Sequence, residues 1–390
     1  MLDVVDLFKE QNTRDELGIG AIRDALADQL FPGTGTVQTR ARYFLFIPWV
    51  YQRMERRQVS AARIANEVRN FEIQLVEALA RSHPNQGDGV IGTLARKALK
   101  RLPSNIYWLG LGTWKIRLVH GSQDQFHRSL DRFYRLMTPR SRSEEMDAPV
   151  TILPNWHTGL PEAPASFPER ANFTLRRTEA DYLRERIMAN VPASLLAFLV
   201  DKGRDDAAAD YPWFHPQFAQ FPSAIRRQLE HARNFSEAIH GAALLYNFML
   251  AEKSERRDLA KHYQSELAVW AENLLARENE FAGWDRKEFW SIVTSDPTVR
   301  ISIHTRTFVD NWFTLALAPA VASRIRSNDK ARQLVHGRER SLKGKLARLD
   351  NRDALRNWNG AAGAGRLDYR WRQAKTIIGD ILVGQKGSDA

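Results

Sequence analysis

The stretch SAIRRQLEHARNFSEAIHGAALLYNFMLA, residues Ser223–Ala251, decides the fold class. Ile225, Leu229, Ala232, Ile239, Ala243, Tyr246 and Leu250 recur at the spacing of one face of an α-helix. The same period appears on both sides of it. Leu17, Ala21, Ile22, Ala25, Leu26 and Leu30 predict a helix over 15–30, which Phe31-Pro32-Gly33 breaks. Ser60 can cap a helix running to about Arg81, with Ile64, Val68, Phe71, Leu75 and Leu79 on its apolar side. Thr178 onward, 266–279, 303–325 and 369–382 read as further helices. Pro48 interrupts the aromatic, arginine-rich stretch QTRARYFLFIPWVYQRM, where it kinks or starts another. The expected fold is therefore mainly α and multi-helical, with more than half the residues in helices.

A few short strands are expected near residues 89–123. A helix through Leu102 is read as ending at Pro103-Ser104-Asn105, and 106–112 and 113–119 as two strands, together a winged-helix-like unit with a basic face. Composition divides the chain further. Residues 138–170 hold six of the 16 prolines, a density that breaks helices and predicts a linker. The expected organisation is an N-terminal helical domain over 1–137, this linker, a helical domain over 171–323, and a basic C-terminal segment over 324–390.

Charge is concentrated in that last segment. The chain of 390 residues carries +11, and 324–375 alone holds 15 Lys or Arg against 5 Asp or Glu, a net of +10. A balanced body with a basic end points to a polyanionic partner. Arginine supplies 44 of the 57 basic residues, and its planar fork suits phosphate. Arg338, Arg340, Lys343, Lys345, Arg348, Arg352 and Arg356 fall close together, with Trp358, Tyr369 and Trp371 nearby and Arg366, Arg370 and Arg372 among them. Cations beside flat rings can grip phosphates and stack on bases, whereas the plainer reading is a solvated basic helix with its tryptophans in the core. A second basic stretch, with Arg96, Lys97, Lys100, Arg101, Lys115 and Arg117, lies in 89–123, which contains no acid. Arg40 and Arg42 are expected to pair with acids such as Asp24 and Asp28.

Signals for catalysis are weak. There is no cysteine, so thiolate metal sites, disulfides and a cysteine nucleophile are excluded. No glycine-rich loop runs into Lys followed by Ser or Thr, and Gly33-Thr34-Gly35 and Gly360–Gly365 read as turns or tight packing. Glu237-x-x-His240 has di-iron spacing but occurs once where two copies are needed. No Glu-x-Lys occurs, and His336-Gly337-Arg338 places Arg where a phospholipase-D-type site needs Lys. The expectation is no catalytic residue, no metal and no cofactor. The N-terminus lacks the apolar run of a signal peptide, and 191–200 and 308–323 are too short or too polar to span a bilayer, so a cytoplasmic chain without membrane contact is expected.

Several blocks together carry a family resemblance: Leu17–Asp24, Leu30–Thr34, Gln38–Trp49, Gly89-Val90-Ile91-Gly92, Pro103–Trp108, Arg348-Leu349, Trp358-Asn359-Gly360 and Tyr369-Arg370-Trp371. Over nearly the whole chain the sequence resembles a bacterial family catalogued as a domain of unknown function, numbered 6361. The resemblance supplies no catalytic residues. It implies genes beside helicases or phospholipase-D-like proteins in phage-defence loci. The leading expectation is a non-catalytic nucleic-acid-binding or targeting subunit of an antiviral defence complex, with DNA favoured over RNA and a helicase or phospholipase-D-like nuclease as partner. The alternatives are an adaptor docking such a partner, and an enzyme with an unrecognised active site.

Overall fold

The computed structural model describes residues 15–85, 87–137, 153–204 and 209–387. The acidic N-terminal residues, Pro139 and Pro149 of the proline-rich stretch, and the Lys97 side chain lie outside the described residues. More than half of the described residues are helical. In chain order the helices are α1 (Gly20–Leu30), α2 (Tyr43–Arg56), α3 (Ile64–Ser82), α4 (Pro103–Thr113), α5 (Gln123–Met137), α6 (Arg177–Asn190), α7 (Leu195–Lys202), α8 (Ser223–Lys253), α9 (Arg257–Leu275), α10 (Glu278–Ala282), α11 (Arg286–Val293), α12 (Ile303–Ala316), α13 (Pro319–Ala322), α14 (Asp329–Lys343), α15 (Arg352–Arg356) and α16 (Trp371–Lys386). Among the described residues there is one isolated β-bridge, Arg117 with Trp156, and no named strand. None of these helices is long and apolar enough to cross a membrane.

The described residues divide into two compact units, those up to 27 with 222–369, and those of 28–221 with those from 370 onward. The composition-based segments run across this division. The described part of the proline-rich stretch, 153–170, belongs wholly to the second unit. The basic segment contributes to both.

The first unit is organised on α8, against which α9, α12 and α14 pack. Gly241 permits the close approach of α9, because a Cβ there would lie 2.3 Å from the Trp270 ring. The Trp270 and Trp312 indoles donate to the carbonyls of Glu237 and Ala238, each at 2.8 Å. The glycine-rich stretch runs back along one face of α8. Tyr369 donates to the Ala232 carbonyl (2.6 Å), Ser236 to that of Leu367 (2.8 Å) and His240 to that of Ala364 (2.9 Å). Asn247 takes both backbone groups of Ala362, at 2.9 and 2.7 Å. Gly360, at φ +108°, makes the turn this course needs. The expected helix at 15–30 starts later, at Gly20. Gly18 is left-handed (φ +68°), and the Asp15 carboxylate instead accepts the free N–H groups of Ile19 (2.6 Å) and Gly20 (2.7 Å).

In the second unit α2 is buried along most of its length, packed on α3 and α4, while α16 packs on α6 and α7. Phe44 stacks on Trp114 with ring centres 3.9 Å apart. Arg40 pairs with Asp380 (2.8 Å) and Arg42 with buried Glu179 (2.9 Å), not with Asp24 or Asp28. The expectation failed because both acids lie far along the chain and meet the arginines only through folding. The two strands expected over 106–119 are also corrected. Pro103-Ser104-Asn105 opens a helix rather than closing one: Pro103 sits in its first turn and Asn105 accepts the Leu102 N–H at 2.9 Å. Residues 106–112 are consequently helical.

The start of α4 meets a buried acid. Glu72 on α3 is 1% exposed and accepts both the N–H (2.7 Å) and the hydroxyl (2.8 Å) of Ser104. Gln123 donates to that hydroxyl (2.9 Å) and to Tyr51 (2.6 Å). Burial pushes the Glu72 carboxyl up to about 7, against the lowering by Ser104 and the more distant Arg69. A carboxyl raised in the folded state contributes stability that is full below its unfolded value and lost as pH rises through the folded value. Folding stability should therefore fall between about pH 4.5 and 7 by up to about 3 kcal/mol from this group. Glu72→Gln is expected to be more stable than the parent at pH 8 and equal to it near pH 4. Thermal unfolding of both proteins across that range checks this, and parallel pH profiles would refute it.

Candidate nucleic-acid interface

The basic C-terminal residues fall into two groups. The first is tied into the first unit. Arg338 is buried, and its guanidinium donates to the carbonyls of Leu17 (2.8 Å) and Gly18 (3.1 Å) and to Thr305 (2.8 Å). Lys343 reaches the carboxylates of Glu16 and Glu339 and the Tyr246 hydroxyl, and Arg348 reaches Glu16 at 2.8 Å. Trp358 is buried, with its indole on Asn247 at 3.2 Å. The second group faces solvent. Arg340 is 3.9 Å from Asp350 with a largely exposed side chain, and Lys345 is exposed.

Other named residues belong to the second unit. In the second unit, Arg370 bonds Asp28 and the Thr34 carbonyl, while Arg372, Lys100 and Arg101 are exposed. The Tyr369 and Trp371 rings are buried, and the Trp371 indole donates to the Ala209 carbonyl at 2.9 Å. These two and Trp358 are core residues. Glu237 is held by Arg233, Arg277 and Arg366, and burial pushes the His240 imidazole down to about 4, leaving it a neutral donor to a carbonyl. Among the described residues, no three His, Asp or Glu side chains converge as metal ligands do.

One concavity of the first unit was not anticipated as a whole. It is a groove of about 580 Å³ between α9 and the start of α14, with Phe248 of α8 in its lining. Arg257, Ala260, Lys261 and Gln264 recur on one face of α9 at the spacing of successive turns. Opposite lie Arg326 and Ser327 of a short 3₁₀ turn and Asp329 and Arg332 of the first turn of α14. The Asn328 side chain caps α14 by accepting the Ala331 N–H at 2.9 Å. Arg332 bonds Glu252 (2.7 Å) and the Arg326 carbonyl (3.1 Å), and the guanidiniums of Arg326 and Arg332 each lie 6.0 Å from the Phe248 ring centre.

The electrostatics of the groove are one-sided. Four cations line it against Glu252 and Asp329, and Glu252 is occupied by Arg332. Arg257, Lys261 and Arg326 have no carboxylate within ion-pair distance among the described residues. Exposed Arg324 and Lys330 lie in the same short stretch as Arg326 and Arg332. Such a surface offers an anionic group several separate charges. Sequence reading missed Arg257 and Lys261, whose only signal is their four-residue spacing.

The model of a family described as "Family of unknown function (DUF6361)" matches residues 2–384. No curated protein and no solved structure matches the chain.

Proposed function

The chain belongs to that family of unknown function, and we propose that it is a nucleic-acid-binding or targeting subunit whose contact surface is the basic groove of the first unit. The observation that carries this reading is the cluster of Arg257, Lys261 and Arg326, exposed and without acidic partners, beside Arg332. Exposed guanidiniums that neutralise no carboxylate of their own chain are available to phosphates. The groove offers no flat ring for base stacking, since Phe248 is buried beneath two guanidiniums. Contact is therefore to the backbone, and sequence preference is weak. The role is non-catalytic, in a cytoplasmic antiviral defence complex. The motor or nuclease belongs to a helicase or phospholipase-D-like partner, the neighbours that the family resemblance implies.

Fluorescence anisotropy with labelled DNA and RNA at increasing salt tests the reading. Three to four phosphate contacts predict a slope of log affinity against log salt of roughly −3 on duplex DNA, with little difference between sequences, and tighter binding to DNA than to RNA. A salt-independent affinity, or none at low salt, would remove the reading. The adaptor alternative draws on Ile303 and Leu346 of the same unit, each 70% exposed. Capture of the partner helicase or nuclease without any nucleic-acid affinity would favour it.

A further inference from the structure

The second unit holds a smaller cleft, of about 250 Å³, at the C-terminal end of α4. After Thr113 the chain doubles back through Lys115, at φ +53°, and the N–H groups of Ile116 and Arg117 both bond the Leu111 carbonyl at 3.0 Å. This return tucks the Arg117 side chain under the helix end. Arg117 is 7% exposed, and its guanidinium lies 4.6 Å from the Trp108 ring centre. Its terminal nitrogens bond the carbonyls of Val119 and Trp108, while its Nε is buried without a partner. Gly112 makes the space, since a Cβ there would lie 2.5 Å from an Arg117 terminal nitrogen. The Trp108 indole donates to the Gly121 carbonyl at 3.1 Å and fixes the opposite wall.

Among the described residues the charges in this cleft have no counterweight. Lys115, Arg117 and His120 line it, and among the described residues no acid does. Both bonds made by Arg117 go to neutral carbonyls. The end of a helix offsets part of a cation's burial, but only part. Burial accordingly pulls the Arg117 guanidinium below its ordinary value. Asp124, the first acid after this stretch, is exposed and does not line the cleft.

We infer that this cleft binds a phosphate group, with Arg117 as the fixed cation and Lys115 and His120 closing from the rim. An anion there supplies the charge balance that the fold leaves out. The volume is below the roughly 300–1,000 Å³ of sites that enclose whole small molecules, so it fits free phosphate or the end group of something larger. Leu109, 73% exposed at the rim, offers an apolar ledge to the group that carries the phosphate. Two sources present this chemistry, free inorganic phosphate and a phosphorylated nucleic-acid end. The inference stands apart from the groove of the first unit and does not need it.

Two measurements on the full chain test it. First, thermal unfolding is followed in inorganic phosphate and in chloride at equal ionic strength. Phosphate should raise Tm by about 2–4 °C more than chloride. A Lys115→Gln/His120→Gln variant, which alters only exposed side chains, should lose that excess. Second, anisotropy compares oligonucleotides with a 5′- or 3′-phosphate against their hydroxyl-ended twins. Tighter binding of a phosphorylated twin, lost in the same variant, assigns the site to nucleic-acid ends. Equal binding alongside a retained phosphate shift assigns it to free phosphate. No excess shift together with equal binding, or effects undiminished in the variant, overturns the inference.

Discussion

Replacing Glu339 with alanine is expected to lower the unfolding free energy by about 3–5 kcal/mol, as removal of one partner from a buried ionic network does. Glu339 on α14 is fully buried, and its carboxylate faces donors on all sides. It accepts the Tyr246 hydroxyl, the Lys343 ammonium at 3.1 Å, and the N–H groups of Arg348 (2.9 Å) and Leu349 (3.0 Å). Alanine would leave two backbone donors, a hydroxyl and a share of the Lys343 charge without their acceptor, with Glu16 alone facing Lys343 and Arg348. Burial pushes the Glu339 carboxyl up, but the bonds from Tyr246, Leu349 and Arg348 and the charge of Lys343 outweigh it and hold the group below its usual range. Its contribution is therefore present above the unfolded value and lost as pH falls through the lower folded one. The gap between parent and Glu339→Ala should be full at pH 7 and narrow below about pH 4. Urea unfolding at both pH values measures it. A cost under about 1 kcal/mol at pH 7 would show that the network does not hold α14 to α8.

That network also explains why a sequence reading of the C-terminal segment goes astray. Counting charge along Arg338-Glu339-Arg340-Ser341-Leu342-Lys343 gives a cationic run. Folding brings Glu16, more than 300 residues away, against Lys343 and Arg348, and sets Arg338 on the carbonyls of Leu17 and Gly18. Three of the cations that make up the apparent surplus are thus consumed inside the first unit. The cations that remain outside are distinguished by the face of the helix they occupy, not by their density along the chain. Arg340 and Lys345 stay exposed only two residues from Arg338 and Lys343.

The helices were legible for a local reason. A 3.6-residue apolar period, as in Ile225–Leu250, needs no knowledge of the partner that covers it. α4 was misread because its composition serves its neighbours. Tyr-Trp-Leu-Gly-Leu-Gly looks like a strand in isolation. Yet Gly110 is small because a Cβ would meet the Gly33 carbonyl at 2.3 Å, and Gly112 because Arg117 passes beneath it. Tyr107 donates to the Arg40 carbonyl at 2.9 Å and accepts the Thr39 N–H at 2.8 Å. Tertiary fit selected those residues and overrode the propensity that they display. Trp358 and Trp371 likewise resemble stacking platforms in the sequence, and in the fold their indoles bond Asn247 and the Ala209 carbonyl.

The groove gives the sharpest test of the nucleic-acid reading, because three of its four cations, Arg257, Lys261 and Arg326, form no ion pair among the described residues. The triple variant Arg257→Gln, Lys261→Gln, Arg326→Gln should keep the parent's helical content and unfolding midpoint, since exposed basic side chains without partners contribute little to stability. Its binding should differ sharply. Each phosphate contact adds about 0.9 to the slope of log affinity against log salt, so three lost contacts should flatten the slope by about 2.7. Between 50 and 200 mM salt the parent should consequently lose about 40-fold more affinity than the variant does. The loss should be the same for unrelated duplex sequences, because backbone contacts position a nucleic acid without reading it. Anisotropy titrations of parent and variant over that salt range, on two unrelated duplexes, make the measurement. A folded variant with the parent's slope would place nucleic-acid binding elsewhere in the chain. A slope flattened on one duplex alone would mean that these side chains read bases, for which the groove has no ring or fixed amide to serve.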